Sequence, residues 1–334
     1  MSSGNNQGDN KLLHADAGHS MYHFQSVHLE LTTACNFRCP FCPLVELQRP
    51  QAKLPLELAE SVLKQCAEDH LTDHAHFHVM GEALLHPQLM DILALCNNLG
   101  IKATVVTNGA LYREDKYRAL YTRLDTLQIS YRTVDDMETQ TVQKKLTHAE
   151  YLDKILECMQ LRAAMPESRT RIRVNLFIND KTVPSINQLC HLLSQRMGTN
   201  GELSRIVESG IPGQHETFSV LPWLSFMCDK QLDWRKTGKH YPSHFGNCSE
   251  FEIGFAVLAS GEVTACCWDA HGGTAMGNVA NARLKDILYS EKAEAFRRSF
   301  RRHVCPTETC RNCLARRGLA RSVAYQAMAL VNLR

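Results

Sequence analysis

No stretch of this sequence approaches the roughly 18 consecutive apolar residues that a membrane span requires. The first residues, Met1 to Ser20, are polar and hold no apolar run of signal-peptide length. Charge of one sign is not in excess either: 37 basic against 35 acidic residues leave a formal net charge of +2. That balance argues against nucleic acid as an obligatory partner of the whole chain. These absences together predict a soluble protein of the cytoplasm, without a membrane partner, in a compartment where thiols stay reduced.

Cysteine, by contrast, is abundant. The chain has 14 among 334 residues, and in a reducing compartment clustered cysteines bind metal more readily than they cross-link. With 44% hydrophobic residues a sizeable core can form, and the length predicts two domains. Arginine is unevenly placed: positions 297, 298, 301, 302, 311, 316, 317, 321 and 334 are all Arg, against the single acid Glu308 in that stretch. Such a patch is either a solvated helical face, a set of cations offsetting a thiolate-ligated cluster, or a surface for an anionic partner.

The organising stretch is Thr32-Thr33-Ala34-Cys35-Asn36-Phe37-Arg38-Cys39-Pro40-Phe41-Cys42-Pro43. It follows Val27-His28-Leu29-Glu30-Leu31, whose period-two alternation reads as a half-buried strand. Three thiolates in C-x₃-C-x₂-C spacing can grip three corners of an iron–sulfur cube. A full complement is four, so one iron is left open, as catalytic metal sites require. Pro40 and Pro43 fix φ and keep the loop from curling into a helix. The alternative for Cys35, Cys39 and Cys42 is a zinc-type or redox cysteine cluster.

This motif resembles the cluster loop of the radical S-adenosylmethionine (radical SAM) superfamily. The resemblance implies a [4Fe–4S] cluster on Cys35, Cys39 and Cys42 whose open iron is chelated by S-adenosylmethionine. One-electron reduction of the sulfonium then yields a 5′-deoxyadenosyl radical that abstracts hydrogen from a substrate. Phe41 stands where the family packs an aromatic on the adenine. Met80-Gly81-Glu82-Ala83-Leu84-Leu85-His86-Pro87 resembles the family's Gly-Gly-Glu-Pro segment, which holds the methionine amino group. Two positions depart from it, Met80 for the first glycine and Ala83 for the proline. Gly81 and Glu82 remain, and position 80 keeps its carbonyl whatever its side chain. The Thr107-Asn108-Gly109 end of the third strand would turn Asn108 to the cofactor, unless the pair is only a turn chosen for its backbone. Ser130, at the end of the strand Thr126–Ser130, takes a place where the family often has a polar cofactor contact. On the strand Arg171–Phe177, Arg173 and Asn175 share a face, and either is a possible cofactor contact.

Strands alternating with helices (Leu56–Asp69, Leu89–Leu99 stopped by Gly100, Glu114–Arg123, Ala149–Met165) imply right-handed βαβ units around a parallel sheet. The fold class is α/β. By resemblance it is a partial (β/α)₆ TIM-like radical SAM barrel over residues 25–210, preceded by a loose arm at 1–24. Ser204–Val207 is the expected last strand. Cys66, Cys96, Cys158 and Cys190 fall on apolar helix faces and read as core.

From Gly210 the βα rhythm stops, and 211–245 reads as a junction. Then Cys248 is followed by twelve residues, Gly261, four residues and Cys266, with Cys305, Cys310 and Cys313 further on. Phe255 to Cys266 reads as a hairpin turning at Ser260-Gly261. This resembles the SPASM/Twitch extension of radical SAM enzymes, including Gly277-Asn278 and the helix Leu284–Leu288. It implies one auxiliary [4Fe–4S] cluster on Cys248, Cys266, Cys310 and Cys313 in a domain at 246–334 ending in a basic helix. Cys305 is the stronger substitute ligand and Cys267 a spare. A structural zinc at the same four cysteines is the alternative. Cys228 stands alone, as a hydrogen donor, a redox thiol or neither.

The resemblance implies a substrate that is a peptide or protein, or a small sugar-like natural product, and an electron donor such as flavodoxin or ferredoxin. Only about two dozen residues precede the core, which tilts the expectation away from leader-peptide processing, and no cobalamin-binding segment is evident. The competing class is a non-catalytic iron–sulfur or zinc protein used for binding or electron transfer.

Overall fold

The computed structural model describes residues 23–131, 146–177, 182–198, 216–229 and 242–315, with residues 323 and 327. The expected strand at 204–207 and arginines 316, 317, 321 and 334 lie outside the described residues, as does nearly all of the 1–24 arm.

The predicted alternation is present. It runs β1 (Ser26–Leu29), α1 (Leu56–Glu68), β2 (His74–Phe77), α2 (Leu89–Leu99), β3 (Lys102–Thr107), α3 (Glu114–Tyr121), β4 (Thr126–Tyr131), α4 (His148–Ala163), β5 (Arg171–Phe177) and α5 (Val183–Met197). Strands β1 to β5 pair in sequence order, all parallel. Helices α1 and α2 form for one reason: Ala59, Val62, Leu63 and Cys66, and Leu89, Ile92, Leu93 and Cys96, each repeat at i, i+3, i+4, i+7 and are buried. The two thiols act as small hydrophobes there. Gly100 ends α2 at φ +70, the left-handed stop expected of it. Helix α4 opens on a capping box between Thr147 and Glu150.

Register sorts the sheet's two faces by chemistry. Val27, Ala75, Val105, Leu127, Ile172 and Leu224 are on the face under the helices and are at most 1% exposed. The opposite face carries His28, His76, Thr104, Gln128, Arg173 and Ser225. Each fully buried Val, Leu or Ile on the first face contributes about 1.5–3 kcal/mol. No such term favours the second face, so it is free to serve chemistry.

The stretch expected as a junction contains two strands. Here β6 (Glu216–Leu221) and β7 (Leu224–Asp229) form a hairpin, and β7 adds parallel to β5. Cys228 is 1% exposed on β7, in register with Leu176 on the helix-covered face. That position removes it as a hydrogen donor to a substrate on the polar face.

The C-terminal elements are α6 (Glu250–Ile253), β8 (Gly254–Val257), β9 (Glu262–Thr264), β10 (Ala275–Asn278), α7 (Leu284–Leu288), α8 (Glu291–Arg301) and α9 (Glu308–Ala315). The predicted hairpin is β8–β9, antiparallel, turning at Gly261 with φ +85. Sequence reading missed that β8 also pairs in parallel with β1. The result is one open ten-stranded sheet, β10-β9-β8-β1-β2-β3-β4-β5-β7-β6.

Candidate radical and cluster site

The cysteine loop leaves β1 and is stapled at its base. Thr33 N donates to Ala52 O (2.9 Å), Ala52 N donates to Thr33 Oγ1 (2.9 Å), and Leu54 N donates to Leu31 O (2.9 Å). Within the loop Cys42 N donates to Cys39 O at 3.0 Å, and Phe37 N to Cys35 Sγ at 3.3 Å. Phe37 is buried against Tyr151 of α4, which anchors the loop's midpoint to the core. Cys35, Cys39, Cys42 and Phe41 are half-buried. Burial pushes the Cys35 thiol up to about 11, so thiolate forms there when a metal supplies the opposing charge.

The segment after β2 docks directly on this loop. Glu82 N donates to Ala34 O at 2.8 Å. Gly81, at φ +76, lies so close that a Cβ would sit 1.9 Å from Thr32 O and 2.9 Å from Ala34 O. Only glycine fits. The Glu82 carboxylate is 2% exposed and accepts from Leu84 N (3.2 Å) and Asn108 N (2.9 Å). Burial raises its pKa, and these hydrogen bonds oppose the rise. Thus Glu82 ties the β2 end to the β3 end while keeping acceptor capacity on each oxygen.

Asn108 completes the tie. Its Nδ2 donates to Asn36 Oδ1 (2.9 Å), its Oδ1 accepts from Ala110 N (3.0 Å), and its carbonyl accepts from Tyr151 Oη (2.8 Å). Both the turn role and the proximity to the cysteine loop therefore hold. Asn36, between Cys35 and Cys39, was not singled out by sequence reading, since a polar loop residue carries no pattern of its own. Its Nδ2 is buried without a hydrogen-bond partner. An unsatisfied donor beside three thiols fits a sulfide- or carboxylate-bearing group at this spot. Ser130 and Asn175 stand opposite each other on β4 and β5, both under 10% exposed, and Asn175 Oδ1 also lacks a partner. Arg173, two residues before, is exposed on the same face.

In the C-terminal part, Cys248 and Cys313 lie close enough to Cys305 and Cys310 to raise the pKa of both thiols, and Cys313 does the same to Cys266. Burial holds Cys310 at about 11 and Cys305 at about 12, and drives Cys266 well above its ordinary value. Cys305, 4% exposed, therefore lies near Cys248, Cys310 and Cys313. Cys267 packs with Cys42, Val79, Met80 and Leu258 in a small apolar cluster beside the first cysteine loop. The described arginines are largely engaged within the fold: Arg297 with Glu294 (2.6 Å), Arg298 with Glu291, Arg301 with Glu252 (3.6 Å). No helix of the described residues is long and apolar enough to cross a membrane.

Residues 29–189 match the model of the radical SAM superfamily, and residues 248–314 match that of SPASM, an iron–sulfur cluster-binding domain. A PqqA peptide cyclase of Gluconobacter oxydans (strain 621H) is 34% identical over 114 residues, 33% of this chain and 31% of that protein. The match thus spans about a third of the relative's length. Among solved structures, Streptococcus suis SuiB bound to precursor peptide SuiA has a TM-score of 0.58 at 13% identity, covering 87% of this chain and 71% of that one. BtrN in complex with AdoMet and 2-DOIA has a TM-score of 0.52 at 15% identity, covering 86% and 92%. At such identities these structures establish the fold, a partial barrel with an added C-terminal domain. The two families bind [4Fe–4S] clusters, and BtrN is solved with AdoMet bound. The chain belongs to the radical SAM superfamily and carries a SPASM domain at its C-terminal end.

Proposed function

We propose that this protein is a radical SAM enzyme acting on a peptide or protein, with a small sugar-like compound as the second substrate class. One observation carries the reading: a three-cysteine loop with Gly81 and Glu82 locked onto its backbone, Asn108 bonded to its Asn36 side chain, and the Asn36 Nδ2 buried inside it without a partner. Cys35, Cys39 and Cys42 would hold the reducible cluster, Gly81 and Glu82 the methionine end of S-adenosylmethionine, and Phe41 its adenine, with Asn108 and Ser130 nearby. When bound, cluster and cofactor together supply one-electron cleavage of the S–C5′ bond and a 5′-deoxyadenosyl radical. The chain's own residues fix the loop, limit water at the thiols and present a polar sheet face to the substrate. Cys248, Cys266, Cys310 and Cys313 would hold the auxiliary cluster, with Cys305 a fifth thiol at the same place. A flavodoxin or ferredoxin in the cytoplasm would supply the electron.

The sequence match to a peptide cyclase supports the peptide class. The BtrN likeness, covering 92% of that chain, keeps the small-molecule class in view. Met80 and Ala83 favour a second, non-catalytic reading, because they replace residues of the family's cofactor segment. Both are buried, and the backbone that would contact the cofactor is retained.

The test is anaerobic reconstitution, iron counting, and reduction with dithionite in the presence of S-adenosylmethionine. The reading expects about eight irons per chain and release of 5′-deoxyadenosine. Replacing Cys35, Cys39 and Cys42 together by alanine should leave about four irons and no cleavage. Zinc in place of iron, or cleavage surviving the triple substitution, would overturn it.

A further inference from the structure

We infer that His28, His76 and His78 form a mononuclear site for a divalent borderline cation of the Zn²⁺ type on the polar face of the sheet. It includes no cysteine and does not depend on the radical chemistry. One ring nitrogen from each histidine lies within 4.8 Å of the other two. Among the described residues this is the group of three His, Cys, Asp or Glu side chains that converges so closely.

The fold produces this convergence from three positions. His28 and His76 are Cα partners across the parallel β1–β2 pair, so their side chains leave the same face side by side. Two residues after His76, His78 returns to that face as β2 ends. Val79 follows at φ +95, a rare conformation for a β-branched residue, and it turns the chain away directly after the third ligand. Ring centroids are 5.1 Å apart for His28–His76 and 4.8 Å for His28–His78. Tetrahedral coordination at about 2.0–2.1 Å places ligand nitrogens about 3.4 Å apart. Side-chain rotations alone therefore close the site.

The chemistry of the donors agrees. All three rings are half-buried, and the neutral imidazole is the form a metal binds. His28 Nδ1 is 2.7 Å from His78 Nε2, and His28 Nε2 is 3.2 Å from Ser26 Oγ. With Nε2–H donating to Ser26 Oγ, the Nδ1 lone pair of His28 points inward, which is how outer hydrogen bonds orient metal-bound histidines. The proton now shared by Nδ1 and Nε2 moves to the outward nitrogen of His78 on binding, so no net proton is released. A fourth histidine, His74, is not part of the site: its Nε2 is 3.3 Å from Thr104 Oγ1. Three imidazoles leave a fourth coordination position facing the polar face. A hydroxyl or carboxylate of the substrate would take it.

The experiment uses the anaerobically reconstituted holoprotein, in which the cluster thiolates are occupied, titrated with Co²⁺ as probe and Zn²⁺ as competitor. One cobalt per chain should remain after desalting, show a high-spin signal, and be displaced by Zn²⁺. Pulsed EPR should show imidazole nitrogens and the optical spectrum no sulfur-to-cobalt charge transfer. His28→Gln and His76→Gln should each weaken binding by more than about 100-fold, beyond the roughly 10–100-fold that loss of an outer-shell partner typically costs, while His74→Gln leaves it unchanged. Iron content checks that each variant is folded. If a variant fails to fold, the nitrogen count on the unmutated protein decides alone. No retained cobalt, a thiolate-ligated cobalt, or binding indifferent to His28 and His76 would overturn the proposal.

Discussion

Gly81 shows how little freedom the site leaves a single residue. A methyl at this position meets Thr32 O at 1.9 Å while φ stays at +76. The left-handed backbone alone costs an L-residue about 1–2 kcal/mol, and the overlap adds to it. Gly81→Ala should push the segment off the cysteine loop and weaken S-adenosylmethionine binding by tenfold or more, measured by calorimetry on reconstituted protein. Gly198→Ala is the control, because φ is +68 there but nothing lies within 4 Å of the new methyl. It should leave cofactor affinity unchanged. His86, in the same segment, uses both ring nitrogens: Nε2 is 2.9 Å from Leu54 O, and Nδ1 accepts from Gln88 N at 3.3 Å. That arrangement needs the neutral ring, and burial lowers its pKa. The unfolded chain takes up a proton near pH 6.5, which the fold resists. Stability from this residue is therefore complete above pH about 6.5 and declines as the pH falls below it. Urea unfolding between pH 7 and 5 should show a shallower pH slope in His86→Gln than in the unmutated protein.

Between elements, one buried ion pair joins three segments that are far apart in sequence. The Glu30 side chain is 0% exposed and the Arg49 side chain 8%, and their charges meet directly. Glu30 also accepts from Ala259 N at 2.9 Å, and Arg49 Nε donates to Ala270 O at 2.6 Å. The end of β1, the return of the cysteine loop and the β8–β10 region are thus held to one another. Removing one charge from such a pair leaves the other buried without a counterion, at a cost of about 3–5 kcal/mol. Glu30→Gln should lower stability by that order in denaturant titration. It should also lower iron retention at both cysteine sets, because both sets flank the joint. A loss below about 1 kcal/mol, as for an exposed pair, would contradict this.

At the scale of the whole molecule, the C-terminal domain is an extension of the same sheet. Strand β8 covers the edge of β1 along its full length, Ser26↔Gly254 to Leu29↔Val257. A chain ending before Ser249 would expose that edge, and unpaired edges template aggregation. Such a truncation should scatter light and fail to retain the first cluster, where an independent domain would leave a soluble, cluster-bearing core.

Local chemistry made much of this protein readable from its residues. The C-x₃-C-x₂-C loop, the i, i+3, i+4, i+7 faces of α1 and α2, the Gly100 stop and the Ser260-Gly261 turn depend on neighbours in the chain. Their positions follow from spacing and from backbone preference. Tertiary structure alone decided the rest. That β8 pairs with β1, that Glu30 meets Arg49, that Asn36 reaches Asn108, and that His28 stands beside His76 and His78 are contacts between distant segments. No local periodicity encodes them, because they are fixed only when the polar and apolar faces of the sheet are sorted by burial.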